Sequence, residues 1–211
     1  MDYLEPHIIE KQDIKDPLIT IITATTGAKT LKKTIESVQN QTYQNIQHLI
    51  VVDGEGEREE NSYKIINEFN KEKISILVLP YPTGLEGYFC HRIYGLGAFV
   101  AKGEFICYLN DNDFFDADHI ESNIKNIINK DLDWSYSLRK IVDKNGNILC
   151  NDDCESLGRW CSYVHPEDYL IDVNCYMLKK KLAIHIAPIW YRKFGKGHPD
   201  ADRTICKFLM E

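Results

Sequence analysis

The sequence predicts an α/β protein built on a mostly parallel sheet with helices on both faces. Short β-branched runs alternate with segments of helical apolar spacing from residue 17 to residue 130. Strand and helix alternating in this way are typical of a parallel sheet with crossover helices. The length of 211 residues and the 44% content of hydrophobic residues fit one domain with a proper core.

The first part of the chain contains four predicted strand–helix pairs. Each helix places apolar side chains at intervals of three or four residues, and each strand is a short apolar run. The predicted strands are residues 18–23, 46–52, 74–79 and 104–109, and the predicted helices are residues 30–38, 62–69, 90–101 and 118–129. Between the second strand and its helix, residues 54–61 are rich in acids with only Arg58 opposing them, which favours a mobile surface loop.

The second part is less regular. We expect a strand over 134–142, a hairpin turn at 143–146, a loop over 151–168, a strand over 170–178 and a short helix over 179–186. A last helix contains Ile205 and Phe208. Because neither a linker nor a repeat separates these segments from the first part, the sequence predicts one domain rather than two.

Charge and targeting patterns exclude some functions. The formal net charge of −7 argues against a general nucleic-acid binder, which needs a basic face. Residues 1–16 form a polar extension without the apolar run of a signal peptide, and no stretch reaches the roughly 18 apolar residues of a membrane span. The seven cysteines are an odd number, which fits a reducing compartment. We therefore expect a cytoplasmic protein.

Two predicted strands end in aspartates. Asp53 follows the second strand, and Asp111, Asn112 and Asp113 follow the fourth. Ligands of such sheets bind at the carboxyl ends of the strands, and Mg²⁺ or Mn²⁺ prefers oxygen ligands. The sequence therefore predicts a divalent-cation site at Asp111, Asn112 and Asp113. The alternative is that these residues are ordinary turn and helix-capping residues.

A third acidic segment precedes the last helix. Asp202 stands where that helix begins. A carboxylate there caps the helix and complements its dipole, or removes a proton from an attacking hydroxyl. The sequence leaves both roles open.

Taken together, these segments resemble the family 2 glycosyltransferases, which have the GT-A fold. The stretch PLITIITATTGAKTLKKTIESVQNQTYQNIQHLIVVDG is similar to the first strand, helix and second strand of that family. AKGEFICYLNDND resembles its metal-binding DxD segment, and DADRTICKFL resembles the segment with its catalytic base. The chain departs from the family pattern at three places. The two DxD positions fall on Asn110 and Asn112, Gly54 replaces the usual second acid after the second strand, and Arg92 lies two residues from the usual arginine position.

The resemblance implies an inverting transfer from a nucleoside-diphosphate sugar, with UDP the expected nucleotide, to a saccharide or lipid-linked acceptor. Thr23, Thr25, Asp53, Arg92 and Asp111 would bind the donor. A divalent cation, Mn²⁺ or Mg²⁺, would lie at Asp111, Asn112 and Asp113, and Asp202 would be the catalytic base. Residues 17–115 would be the nucleotide-binding half of a domain spanning 17–211, and residues 116–211 the acceptor-binding half. A lipid-linked acceptor would bring the protein to the inner face of a membrane.

Two alternatives remain open at this point. A sugar nucleotidyltransferase uses a related sheet, but the loop ATTGAKT lacks the glycine-rich basic character of that class. A nucleotide-sugar-binding partner subunit without catalytic activity is the other alternative, because asparagine brings no charge to a cation.

Overall fold

The computed structural model describes residues 16–161, 167–192 and 201–211. The helices are α1 (Leu31–Gln39), α2 (Glu57–Ile66), α3 (His91–Val100), α4 (His119–Lys130), α5 (Lys180–Trp190) and α6 (Ala201–Met210). The strands are β1 (Ile19–Thr25), β2 (Ile46–Val52), β3 (Ile74–Val78), β4 (Phe105–Asn110), β5 (Trp134–Tyr136), β6 (Lys140–Val142), β7 (Ile148–Asn151), β8 (Gly158–Trp160), β9 (Asp168–Leu170) and β10 (Tyr176–Lys179).

A six-stranded mixed sheet with the order β3-β2-β1-β4-β10-β5 forms the centre of the fold. The strands β3, β2, β1 and β4 are parallel, whereas β10 runs antiparallel to both β4 and β5. Ala24 of β1 pairs with Val51 of β2 and with Asn110 of β4. The carboxyl ends of three neighbouring strands therefore meet at one edge of the sheet. The predicted mostly parallel sheet with flanking helices is confirmed.

Apolar side chains cover both faces of the sheet. On one face, α3, α5 and α6 pack on β1 and β4 around Ile22, Tyr94 and Trp190, all without exposed area. On the other face, α1 and α4 contribute Val38 and Ile124 to a second cluster. β1 is buried along its whole length, threonines included, as is typical of a parallel strand covered on both faces.

The acidic segment after β2 differs from its prediction. The expected loop over 54–61 is wrong, because α2 already begins at Glu57. Glu57, Glu59 and Glu60 lie in the first turn of α2, where negative charge interacts favourably with the helix dipole. The net negative charge that argued for a solvated loop is instead a signal for a helix start.

The second half is divided into shorter elements than predicted. The expected strand over 134–142 is two strands, β5 in the central sheet and β6 in a hairpin with β7. The expected hairpin turn is confirmed by hydrogen bonds from Gly146 N to Asp143 O and from Asp143 N to Asn147 O, both 2.9 Å long. The expected loop over 151–168 contains β8, which pairs with β9. The strand predicted over 170–178 is interrupted by a 3₁₀ turn at Val173–Cys175.

Across the described ranges of the chain, no helix combines the length and the apolar character needed to cross a bilayer.

Candidate functional site

The meeting strand ends enclose a cavity of about 370 Å³ that we call the strand-end cavity. Thr25 and Thr26 line it from β1 and the turn that follows, Asp53 from the end of β2, and Asp111 from the end of β4. The segment before α3 closes the cavity with Phe89 and other side chains. Residues that are far apart in sequence thus surround one space because parallel strands end at the same edge.

Asp111 has a half-buried carboxylate without a balancing positive charge among the described residues. Its Oδ2 accepts hydrogen bonds from Thr25 Oγ1 at 2.7 Å and from Thr26 N at 3.4 Å. Burial raises the pKa of Asp111, and the hydrogen bonds from Thr25 and Thr26 oppose this shift only in part. Within the described ranges, no lysine, arginine or histidine forms an ion pair with this carboxylate. A cation in the cavity would supply that missing charge.

Asp113 points to a different space. Its Oδ2 accepts hydrogen bonds from Asn110 Nδ2 at 3.0 Å and from Asn174 Nδ2 at 2.9 Å, and burial raises its pKa. Asp113 lines a second cavity of about 350 Å³ beneath the β6–β7 hairpin, which we call the hairpin cavity. Asn112 is exposed and lines both cavities. The three expected cation ligands therefore do not face one cavity, because consecutive residues of the turn point in different directions.

Asn110 has a structural environment that accounts for its amide. Tyr94 donates its hydroxyl hydrogen to Asn110 Oδ1 at 2.5 Å, while Asn110 Nδ2 donates to Asp113. Asn110 N also donates to Asn174 Oδ1 at 2.7 Å. An aspartate at position 110 has no N–H to give Asp113, so it would place two carboxylates side by side. The sequence contained no local signal for Tyr94 or Asn174 as partners of this segment.

Asp53 lies at the cavity wall, but its carboxylate is fully engaged. Oδ1 accepts from Thr83 N at 2.6 Å and from Thr83 Oγ1 at 2.7 Å. Oδ2 accepts from Gly84 N at 3.1 Å and from an Arg58 guanidinium nitrogen at 3.4 Å. Only 5% of the residue is exposed. The side chain thus attaches the segment after β3 to the end of β2.

Thr23 and Arg92, which the resemblance assigns to the donor, are not among the residues that line the strand-end cavity. Thr23 is fully buried, with its hydroxyl 2.9 Å from His48 Nε2, because alternate side chains of a strand point to opposite faces. Arg92 lies over the Tyr88 ring at 3.6 Å and donates to Thr83 O at 3.1 Å. Arg92 therefore supports the segment that Asp53 holds rather than facing the cavity.

Asp202 lies beside the cavity wall. It is the second residue of α6, and its Oδ1 lies 3.7 Å from Nε2 of His91. Cys90, the neighbour of His91, lines the strand-end cavity. Burial lowers the pKa of His91 to about 4, so this ring is uncharged near neutral pH and does not neutralise Asp202. The last helix thus brings a carboxylate from the end of the described chain next to the segment that lines the cavity.

Comparison with known proteins places this site in a family. Residues 19–152, more than half of the chain, match the description "Glycosyl transferase family 2". The chain belongs to glycosyl transferase family 2. The matched range contains β1 to β4 and therefore every strand whose end lines the strand-end cavity.

Relatives of this family 2 chain support the assignment. An uncharacterized glycosyltransferase of Methanocaldococcus jannaschii is 27% identical over 82% of this chain and 55% of its own length. The Escherichia coli UDP-Glc:alpha-D-GlcNAc-diphosphoundecaprenol beta-1,3-glucosyltransferase WfgD is 27% identical over 85% of this chain and 82% of its own length. The chain thus spans about half of the first relative and most of the second.

Solved structures identify the fold as GT-A. S. aureus TarS, crystallised with UDP, superposes with a TM-score of 0.62 at 13% identity, over 90% of this chain and 54% of the TarS chain. The mannosyltransferase PcManGT from Pyrobaculum calidifontis, in complex with GDP-Man and Mn²⁺, superposes with a TM-score of 0.58 at 10% identity, over 89% and 50%. At such identities the likeness concerns the fold alone.

A divalent cation at the strand-end cavity would find few protein ligands. Within the described ranges, no group of three or more histidine, cysteine, aspartate or glutamate side chains is arranged to hold a metal ion. Mg²⁺ sites commonly use one or two carboxylates and take their remaining ligands from water and substrate phosphates. The half-buried carboxylate of Asp111 and the exposed Asn112 fit such a partial site.

The hairpin cavity of the family 2 chain has a different electrostatic character. Arg139 forms ion pairs with Asp152 at 2.6 Å, Asp172 at 2.6 Å and Glu155 at 3.1 Å. Burial disfavours the charged form of Asp152, but three backbone N–H groups and Arg139 outweigh it and hold the pKa of Asp152 below its usual range. The negative charge of the acids that contact Arg139 is therefore balanced by this arginine and, at Asp152, by backbone N–H groups.

Proposed function

We propose that this protein transfers a sugar from a nucleoside-diphosphate sugar, with UDP as the nucleotide, to a hydroxyl of a saccharide or lipid-linked acceptor. The observation that carries the proposal is that Asp111 lines the cavity at the carboxyl ends of β1, β2 and β4, while Asp202 lies 3.7 Å from His91, the neighbour of the cavity-lining Cys90. We assign Asp111 to the diphosphate and Asp202 to the acceptor. Structures of similar fold that were solved with UDP, UDP-GlcNAc and GDP-Man support a nucleotide-linked donor.

Donor binding uses the first half of the chain. Thr25, Thr26 and Asp111 form the part of the cavity nearest β1 and β4 and would surround the diphosphate. Asp111 and Asn112 would hold a divalent cation there. When bound, such a cation neutralises charge on the diphosphate and stabilises it as the leaving group.

Acceptor activation uses Asp202. Its carboxylate would remove the proton from the acceptor hydroxyl as the oxygen attacks the anomeric carbon. The new carbon–oxygen bond forms on the face opposite the diphosphate, the bond to the diphosphate breaks, and the configuration inverts. His91 contacts Asp202 as an uncharged ring, so it orients the base without forming an ion pair with it.

The second half of the chain would select the acceptor. The relative WfgD is named for an acceptor on diphosphoundecaprenol, which supports a lipid-linked saccharide as one acceptor class. Such an acceptor would bring the reaction to a membrane surface. The proposal makes the residues 116–211 the acceptor-binding half.

Calorimetric titration with UDP tests this function, with GDP as a comparison and with Mn²⁺ or EDTA in the buffer. We expect binding of UDP in the micromolar range that requires Mn²⁺, followed by turnover when UDP-sugars and saccharide acceptors are screened. Absence of nucleotide binding under every condition would contradict the donor site. Metal-dependent binding without turnover of any donor would instead favour the partner-subunit alternative.

A further inference from the structure

The segment between β3 and α3 presents one aromatic ring to the strand-end cavity. Phe89 is 61% exposed, although its neighbour Tyr88 is 8% exposed and packs against Arg92. Among the described residues that line the cavity, Phe89 alone is aromatic. An exposed phenylalanine at a cavity wall offers an apolar, polarizable face to a ligand.

The backbone at Phe89 is strained. Its φ is +48°, a left-handed conformation that bulky residues rarely adopt. Glu86 in the same segment has a φ of +59°. Such strain persists where the surrounding structure enforces it, and it concentrates at ligand-binding sites. Here a hydrogen bond of 3.2 Å from Phe89 N to Gly84 O closes the segment on itself.

Asp53 supplies the anchor for that closed segment. A carboxylate offers about four acceptor positions. In Asp53 these positions receive two hydrogen bonds from Thr83, one from Gly84 and a contact from Arg58. Asp53 therefore holds residues 83 and 84, at the start of the segment that carries Phe89.

We propose that Phe89 stacks on the nucleobase of the donor and that Asp53 positions this ring through residues 83 and 84. The inference rests on the proposed function, because it assigns the base-binding part of the same cavity. Bases differ in their hydrogen-bonding edges but all present an aromatic face, so a stacking ring contributes to the binding of different bases. The ring is therefore expected to contribute to the binding of UDP and of GDP alike.

Calorimetry with three probes and matched variants tests the inference. UDP, GDP and inorganic pyrophosphate are titrated, each with Mn²⁺, into the wild-type chain, Phe89→Leu and Phe89→Tyr. Phe99→Leu is the control, because Phe99 on α3 is 57% exposed but does not line the cavity. We expect Phe89→Leu to weaken UDP and GDP binding about tenfold each, with pyrophosphate affinity unchanged within about twofold. Phe89→Tyr and Phe99→Leu should bind all three probes as the wild type does.

An equal loss of affinity for pyrophosphate and UDP in Phe89→Leu would overturn the stacking role, as would unchanged binding of UDP. A further loss of UDP affinity when Asp53→Asn is added to Phe89→Leu would overturn the positioning role of Asp53, because a residue that acts through the ring has no effect once the ring is gone. If the wild-type chain binds none of the probes, the proposed donor site fails together with this inference. If the wild type binds and only the Phe89 result is contrary, the inference fails alone.

Thermal unfolding separates a binding role from a structural one. Asparagine tolerates a left-handed backbone better than phenylalanine does. We expect Phe89→Asn to unfold at the wild-type temperature or higher, while it loses UDP affinity as Phe89→Leu does. A lower unfolding temperature would show that the ring stabilises the fold, which contradicts a ring kept for ligand contact.

Discussion

The two cavities at the carboxyl edge of the sheet have similar volumes, about 370 Å³ and 350 Å³, but treat their acids differently. At the hairpin cavity, the lining residue Arg139 forms ion pairs at 2.6 Å with Asp172, which also lines it, and with Asp152 behind it. In the strand-end cavity, Asp111 is half-buried beside threonines and its pKa is raised. An acid that forms ion pairs with other residues of the protein has a structural role. An acid without a positive partner is available to a ligand that carries positive charge.

The same difference separates the two aspartates of one turn. Asp111 and Asp113 are two residues apart, and burial raises the pKa of both. Asp113 receives two amide N–H groups, while Asp111 receives a hydroxyl and a long backbone contact. Chemistry at this turn is therefore expected to depend more on Asp111 than on Asp113.

The largest effect is expected at Asp202. Asp202→Asn removes the proposed base, so the rate of sugar transfer should fall about a thousandfold, within the range of general-base contributions. The affinity for UDP with Mn²⁺ should stay within about twofold of the wild type, since the proposed role of the carboxylate concerns the acceptor and not the nucleotide. Turnover assays and calorimetry on the same preparation measure both. A variant that retains full transfer activity would assign the base to another residue.

A large effect on stability, without one on binding, is expected in the hairpin cavity. Arg139→Leu leaves Asp152 and Asp172 without their counter-charge, and removing one partner of a buried network costs about 3 kcal/mol of unfolding free energy. Arg139 is partly exposed, with 26% of its side chain accessible, which keeps the estimate at the low end. Urea unfolding measures this loss, and UDP affinity should not change. Weakened nucleotide binding at full stability would contradict the structural role of this network.

For Asp111 we expect the opposite of the Arg139 result, namely weaker nucleotide binding without a loss of stability. Asp111→Asn should weaken UDP binding about thirtyfold in Mn²⁺, a loss of about 2 kcal/mol. In EDTA the variant and the wild type should bind equally. The unfolding free energy should not fall, because a carboxyl whose pKa is raised in the folded state destabilises the fold when it is charged. Asp152→Asn is the matched control, with reduced stability and unchanged binding. Equal behaviour of the two variants would remove the distinction between the cavities.

The last expected effect is a change of the unfolding free energy with pH. Burial lowers the pKa of His48 to about 3 and those of His91 and His119 to about 4, against 6.5 in the unfolded chain. A lowered folded-state pKa means that the unfolded chain binds more protons, so stability is full above pH 6.5 and falls as the pH drops below it. For His91 the loss at pH 5 is about 2 kcal/mol. Unfolding free energies between pH 7.5 and 5 measure it, and His91→Gln should flatten the curve. An unchanged slope in that variant would show that His91 is not the titrating group.

Local patterns anticipated the regular part of the fold well. The predicted strand over 46–52 coincides with β2, and the predicted α/β alternation matches β1 to α4. Local patterns failed where two physical effects compete for the same residues. The acids after β2 are charged side chains, which are typical of a solvated loop. Acids also stabilise the first turn of a helix by interacting with its dipole, and this second effect prevails at Glu57.

Periodicity and turn chemistry act over a few residues, so the amino-acid order was sufficient to place Asp53 and Asp111 at strand ends and Asp202 at a helix start. The amino-acid order was insufficient to show that Thr23 contacts His48 or that Asp53 accepts hydrogen bonds from Thr83. It was also insufficient to show that Asn174 donates a hydrogen bond to Asp113, 61 positions away. Such contacts arise when helices and strands distant in the chain pack together. Burial then decides which carboxylate is compensated and which remains available, and no local pattern encodes that choice.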